Sequence, residues 1–165
     1  MTSDASGGAP GRFTTRELAA WEGFLRTHAT VVRDLDAALR VSHGIPLTQF
    51  DVLLQLRRHG GRLRMRELAG ALMLSRSGLS RLIDQLEERG WVQRRPDASD
   101  ARGLYAELTD AGRAALGRAQ TAHVANVRRC FLGALDPQQI AALAASWAAI
   151  ASGARCERAD ETVPP

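Results

Sequence analysis

The side chains with the most usable chemistry gather between residues 75 and 102. Ser75, Arg76, Ser77, Ser80 and Arg81 fall within seven residues, and on a helix they crowd its first two turns. Hydroxyl and guanidinium groups donate hydrogen bonds well suited to phosphate oxygens and to the acceptor edges of bases. The acids Asp84 and Glu88 come only in the later turns. A polyanion would repel them, so the gradient gives the helix a direction of entry into a groove, N-terminus first. The free backbone N–H groups of a helix N-terminus favour phosphate in the same direction.

Other chemistries lack their parts. Serine, histidine and aspartate are present, but there is no nucleophile elbow, phosphate-cradling glycine loop or metal-spaced cluster. Neither enzyme activity, cofactor nor metal is expected. Cys130 and Cys156 are too few for a disulfide framework and show no ligand spacing with His28, His43, His59 or His123. Cys130 follows Arg128-Arg129, and Cys156 lies between Arg155 and Arg158. Neighbouring cations favour thiolate, so a thiol-based redox regulator stands as one alternative.

Charge sharpens the location. Every one of the 22 basic residues is arginine. Residues 57 to 102 hold 11 arginines against 6 acids, a net of +5, and the remainder is slightly acidic. Excess positive charge confined to one segment supplies salt-sensitive attraction to a phosphate backbone. A winged-helix module binding another protein is the competing reading, and the local charge argues against it. With 165 residues and 45% apolar content, the chain can build one real core. No run approaches a membrane span, and MTSDASGGAPG lacks the features of a secretory signal. The expected location is the cytoplasm, with no membrane partner.

The elements that must position these residues follow from caps and periodicity. Residues 1–12 read as a disordered tail and 154–165 as a loose one. Thr14 to Glu17 has the form of a capping box. Behind it Leu18, Trp21, Leu25, His28, Val32, Leu35 and Leu39 recur at alternating steps of three and four, marking one face of a long helix. That face is either half of an oligomer interface or part of an intrachain bundle. His43-Gly44-Ile45-Pro46 breaks the helix. Further helices are expected at Leu47–Arg58, Arg66–Leu72 and from Ser75 to Gly90, with a minor strand at Arg62–Arg64. In the last of these helices Leu79, Leu82, Ile83 and Leu86 form the inward stripe. Trp91–Arg95 and Leu104–Leu108 alternate as strands around a polar turn, Pro96–Gly103. Thr109-Asp110 opens a helix carrying Leu116, His123, Val127 and Phe131. Asp136-Pro137 opens another with Ile140, Leu143, Trp147 and Ile150 on one face.

Helix, strand, basic loop and strand is the order of a winged helix-turn-helix. Asp100, Arg102, Leu108, Thr109 and Gly112 have the spacing of a wing signature. With Leu47-Thr48, Glu67-Leu68-Ala69, Ser75-Arg76-Ser77 and Leu86 to Gly90, they give residues 14 to 152 a pattern that resembles the MarR family of bacterial transcription regulators. The resemblance implies a mainly α fold: a DNA-binding lobe at 47–108 with a two-stranded wing, and long dimerisation helices at 13–43 and 109–153. It implies a homodimer on double-stranded DNA, with Ser75, Arg76, Ser77, Ser80 and Arg81 facing the DNA. Arg95 and Arg102 match basic wing positions, and Asp100 matches the carboxylate that braces a wing arginine. Ala101 departs from the arginine common after that aspartate, leaving Arg102 to hold the wing or to contact phosphate.

The resemblance also implies repression of a near-palindromic operator, relieved by a small, often aromatic, effector held between the dimerising helices and the lobe. Trp21, His28, His43 and His123 are candidates to line that site. Trp21, His28 and His123 equally fit as packed residues of apolar stripes.

Overall fold

The computed structural model describes residues 11–97 and 100–153, with the backbone alone at 100–102. The expected tails at 1–10 and 154–165, and with them Cys156, lie outside the described residues. The first helix, α1, runs Thr15–His43. The Thr14 hydroxyl accepts from the Glu17 N–H at 3.2 Å, and the Glu17 carboxylate accepts from the Thr14 N–H at 2.7 Å. The Thr14 N–H bond first, then a bond from the Thr14 hydroxyl at 2.9 Å, hold the Glu17 carboxyl below its usual range. Gly44, at φ 65°, takes the left-handed conformation that ends α1.

Next come α2 (Leu47–Arg58), β1 (Arg62–Arg64), α3 (Met65–Ala71) and α4 (Arg76–Glu88). The N-cap of α2, Pro46, has no side chain to offer, and Asp36 of α1 fills the role from a distance. Its carboxylate accepts the Leu47 N–H at 2.8 Å and a bond from Arg40 at 2.6 Å. The Arg40 bond first, then the Leu47 N–H, hold its pKa down.

Strands β2 (Val92–Asp97) and β3 (Asp100–Leu108) pair antiparallel, and β1 adds to the other edge of β3 in the order β1-β3-β2. The wing therefore grows from a three-stranded sheet rather than a free two-stranded ribbon. Its ladder also continues past the expected strand ends, with Pro96 opposite Leu104 and Asp97 opposite Asp100. Pro96 is tolerated because β2 is an edge strand, where the missing N–H faces away from the ladder. Then come α5 (Asp110–Cys130), a 3-10 turn at Leu132–Ala134 and α6 (Pro137–Gly153).

One core joins these elements. Leu39 of α1, Phe50, Leu53 and Leu56 of α2, Leu79, Ile83 and Leu86 of α4, and Leu116 and Ala119 of α5 are all fully or almost fully buried together. Truncating any of the leucines here costs about 2–5 kcal/mol. The seven-residue stripe of α1 divides accordingly. Leu35 and Leu39 belong to this intrachain core, while Leu18, Trp21, Leu25 and Val32 remain 40–49% exposed. Helix α6 buries no residue at all, and Ile140, Trp147 and Ile150 are open to solvent.

Candidate nucleic-acid interface

Helix α4 begins at Ser75, whose hydroxyl accepts from the Gly78 N–H at 3.0 Å and lies 3.2 Å from the Ser77 hydroxyl. Ser75 thus acts first as the cap that starts the helix. Arg76, Ser77 and Arg81 are exposed. Leu79, Ile83 and Leu86 face the core, which fixes the opposite face outward. Ser80 differs from its neighbours: it is half-buried, and its hydroxyl accepts from Arg94 of β2 at 3.2 Å.

Between α4 and the wing lies a groove of about 350 Å³, lined by Arg64, Arg66, Arg76 and Arg94 together with Met65, Leu79, Ser80, Gly103 and Leu104. Four arginines line this groove, two of them, Arg64 and Arg94, paired with carboxylates. The wing root is braced from β1. Arg64 forms an ion pair with Asp97, which is 8% exposed, and donates to the Tyr105 hydroxyl at 3.1 Å. Arg62 lies over the Tyr105 ring, 4.0 Å from its centre. Arg95 is exposed and 3.5 Å from Glu107. The side chains of Asp100 and Arg102 lie outside the described residues. Asp97 and Arg94 escaped the sequence reading: one sat in an expected turn, the other was one arginine among several.

Helix α4 is tied at its end to the turn that follows α1. Arg89, at the end of α4, donates to the Gly44 carbonyl at 3.0 Å and sits 4.6 Å over the Trp91 ring. On the far side, Thr109 caps α5 through the Gly112 N–H at 3.0 Å and donates to the Gly90 carbonyl at 2.7 Å.

The four residues weighed for an effector do not share one site. Trp21 and His28 line a groove of about 850 Å³ between α1 and α6. Phe24 sits among them, with ring centres 6.0 Å from Trp21, 5.9 Å from His28 and 5.5 Å from Trp147. His43 ends α1 elsewhere. His123 packs on Phe50 of α2 at 4.5 Å; burial lowers its pKa, and its Nδ1 has no hydrogen-bond partner. Cys130 is free and half-buried. Among the described residues no group of three or more His, Cys, Asp or Glu side chains could hold a metal, and no helix is long and apolar enough to cross a membrane.

Helices α3 and α4 with the β2–β3 wing make a winged helix-turn-helix. Known proteins carry the same arrangement. The MarR family model matches residues 43–103. AbsC of Streptomyces coelicolor, a MarR family transcriptional regulator, superposes with a TM-score of 0.79 at 33% identity, over 86% of this chain and 95% of AbsC. Sco3205 of the same organism, solved in complex with DNA, gives 0.80 at 34% identity, over 86% and 93% of the two chains. PecS of Dickeya dadantii, an HTH-type transcriptional regulator, is 38% identical over 82 residues, 48% of this chain and 49% of PecS. The match spans about half the length of that curated relative. The chain belongs to the MarR family of transcriptional regulators, which are not enzymes.

Proposed function

We propose that this regulator binds a near-palindromic operator as a homodimer, represses from it, and is released by a small aromatic effector. The observation that carries the reading is the exposed start of α4, with Arg76 and Arg81 open on it and Arg66 across the adjoining groove. In this reading Arg76, Ser77, Ser80 and Arg81 enter a major groove. Ser75 caps the helix and directs its first N–H groups at phosphate. Arg95 and Arg102 follow the backbone, and Asp100 braces the wing. Two-fold symmetry puts the half-site centres ~10 bp apart. The solved complex of Sco3205 with DNA supports the mode, and a relative named as a transcriptional repressor, MprA of Escherichia coli, supports the sign.

Pairing rests on α1 and α6. A helix with no fully buried residue gains little packing energy from its own chain, and isolated helices of this length are marginal in water. A second copy would cover Leu18, Trp21, Phe24, Leu25, Ile140, Trp147 and Ile150. Trp21 and His28 are the groove residues suited to an aromatic effector, which would act by favouring one spacing of the two reading heads.

Anisotropy titrations against a duplex selected from a random pool test the DNA reading. Arg81→Ala should lower the preference for selected over random sequence roughly 5- to 150-fold, the worth of one bidentate base contact. Full retention of the preference would refute it. Sedimentation should give twice 17.9 kDa, and a monomer at micromolar concentration would overturn the pairing.

A further inference from the structure

Arg94 leaves β2 and reaches across α4. Its Nη1 donates to Glu87, and its Nη2 forms an ion pair with Asp84 at 2.7 Å. The same Nη2 donates to the Ser80 hydroxyl at 3.2 Å and the Ser80 carbonyl at 3.1 Å. The Arg94 backbone N–H adds a bond to the other Glu87 oxygen at 2.7 Å. Ser80, Asp84 and Glu87 are one turn apart along a single stripe, so one guanidinium spans two turns of α4. The side chain is only 24% exposed. A charged, multiply hydrogen-bonded and largely covered fork of this kind is the strong form of polar contact. Arg95, the next residue, points the other way and is 57% exposed.

We infer that Arg94 is a positioning residue for base reading: it fixes the angle and depth of α4 relative to the wing, and does not itself bind DNA. The inference rests on α4 being the helix that enters the groove. It makes a counterintuitive statement about Glu87. By Coulomb's law, removing a negative charge from a DNA-facing surface strengthens binding to any duplex. If Glu87 is an anchor for Arg94, its removal must instead weaken selective binding.

The test uses the full chain, a duplex selected by the unaltered protein from a random pool, and an unrelated duplex of equal length, titrated across salt concentrations. Arg94→Gln and Glu87→Gln should each lower the ratio of selected to unrelated affinity about fivefold or more. Binding of the unrelated duplex should hold or strengthen in Glu87→Gln. The double variant should be no worse than Arg94→Gln alone, since both break one contact. Glu87→Gln changes little volume, which guards against a misfolded Arg94 variant. The inference is overturned if the ratio is unchanged in both variants. It is equally overturned if Arg94→Gln lowers the salt slope on the unrelated duplex by ~0.9, the mark of one lost phosphate contact. If the unaltered protein selects no sequence at all, it is the reading of α4 that fails.

Discussion

Two glycines of α5 answer the same substitution in opposite directions. A Cβ built on Gly112 would stand 2.1 Å from the Trp91 carbonyl oxygen and 2.9 Å from Leu108 Cδ1. The first obstacle is backbone and cannot rotate away. The first turn of α5 would have to lift off the Gly90–Trp91 turn by more than 1 Å. That movement strains the Thr109 N–H bond to the Trp91 carbonyl and the Thr109 hydroxyl bond to the Gly90 carbonyl. Overpacking costs about 1–3 kcal/mol, and each lost bond about 0.5–1.5 kcal/mol. Alanine returns about 1 kcal/mol in helix propensity. Gly112→Ala should therefore destabilise by roughly 1–5 kcal/mol, or about 2–20 °C in Tm for a chain of this size. Gly117, one and a half turns further on, is exposed, with nothing within 4 Å of its added Cβ. Gly117→Ala should stabilise by about 0.5–1 kcal/mol. Urea unfolding of both variants at one fixed protein concentration decides. Gly112→Ala at or above the parent's stability would show that the close approach to Trp91 does not constrain the fold.

Three further perturbations have defined outcomes. Asp36→Ala removes the distant cap of α2 and should cost about 1 kcal/mol at neutral pH. Because the Asp36 pKa is lowered in the fold, that contribution exists above the unfolded carboxyl value and fades as pH falls through the folded one. The gap between parent and variant in urea should therefore close on acidification. His123 has the same sign at higher pH: its lowered pKa keeps it neutral against Phe50, so protonation of the unfolded chain begins to cost stability once pH drops below about 6.5. His123→Phe keeps an aromatic ring there and should flatten the stability profile between pH 6.5 and 5; an unchanged profile would exonerate the histidine. Met73, 93% exposed in the turn between α3 and α4, adopts φ 53°. Thermal melts should rank Met73→Gly at or slightly above the parent and Met73→Val below it, since a β-branched residue fits that conformation worst.

Local chemistry made much of this molecule legible from residues alone. The Thr14–Glu17 box, the Ser75 and Thr109 caps and the Asp136–Gln139 pair all form as short-range hydrogen bonds, and short-range bonds are written in neighbouring letters. Leu47–Arg58 appears with the expected bounds because Pro46 before it and Gly60 after it are local breakers. What escaped depends on residues distant in the chain. Alternation places Arg94 and Arg95 on opposite faces of a strand, but only the packing of α4 says which of them turns inward. The turn expected at Pro96–Gly103 shrank because β3 supplies partners that composition does not reveal. The α1 stripe was visible as a stripe; that Leu35 and Leu39 close an internal core while Trp21 and Leu25 stay open required the position of α5.

The shared core has a mechanical consequence. Leu39 of the long first helix and Leu116 of α5 are packed into the same buried cluster as Leu79, Ile83 and Leu86 of the reading helix. Arm and head thus form a single stiff lever, without a soft joint between them. On the dimer reading, a signal cannot flex one subunit to disengage it from DNA; it must pivot one lever against the other. Selections for regulators that ignore their inducer should accordingly yield substitutions along the open parts of α1 and α6, whereas lesions at the fulcrum itself should yield only protein that fails to accumulate.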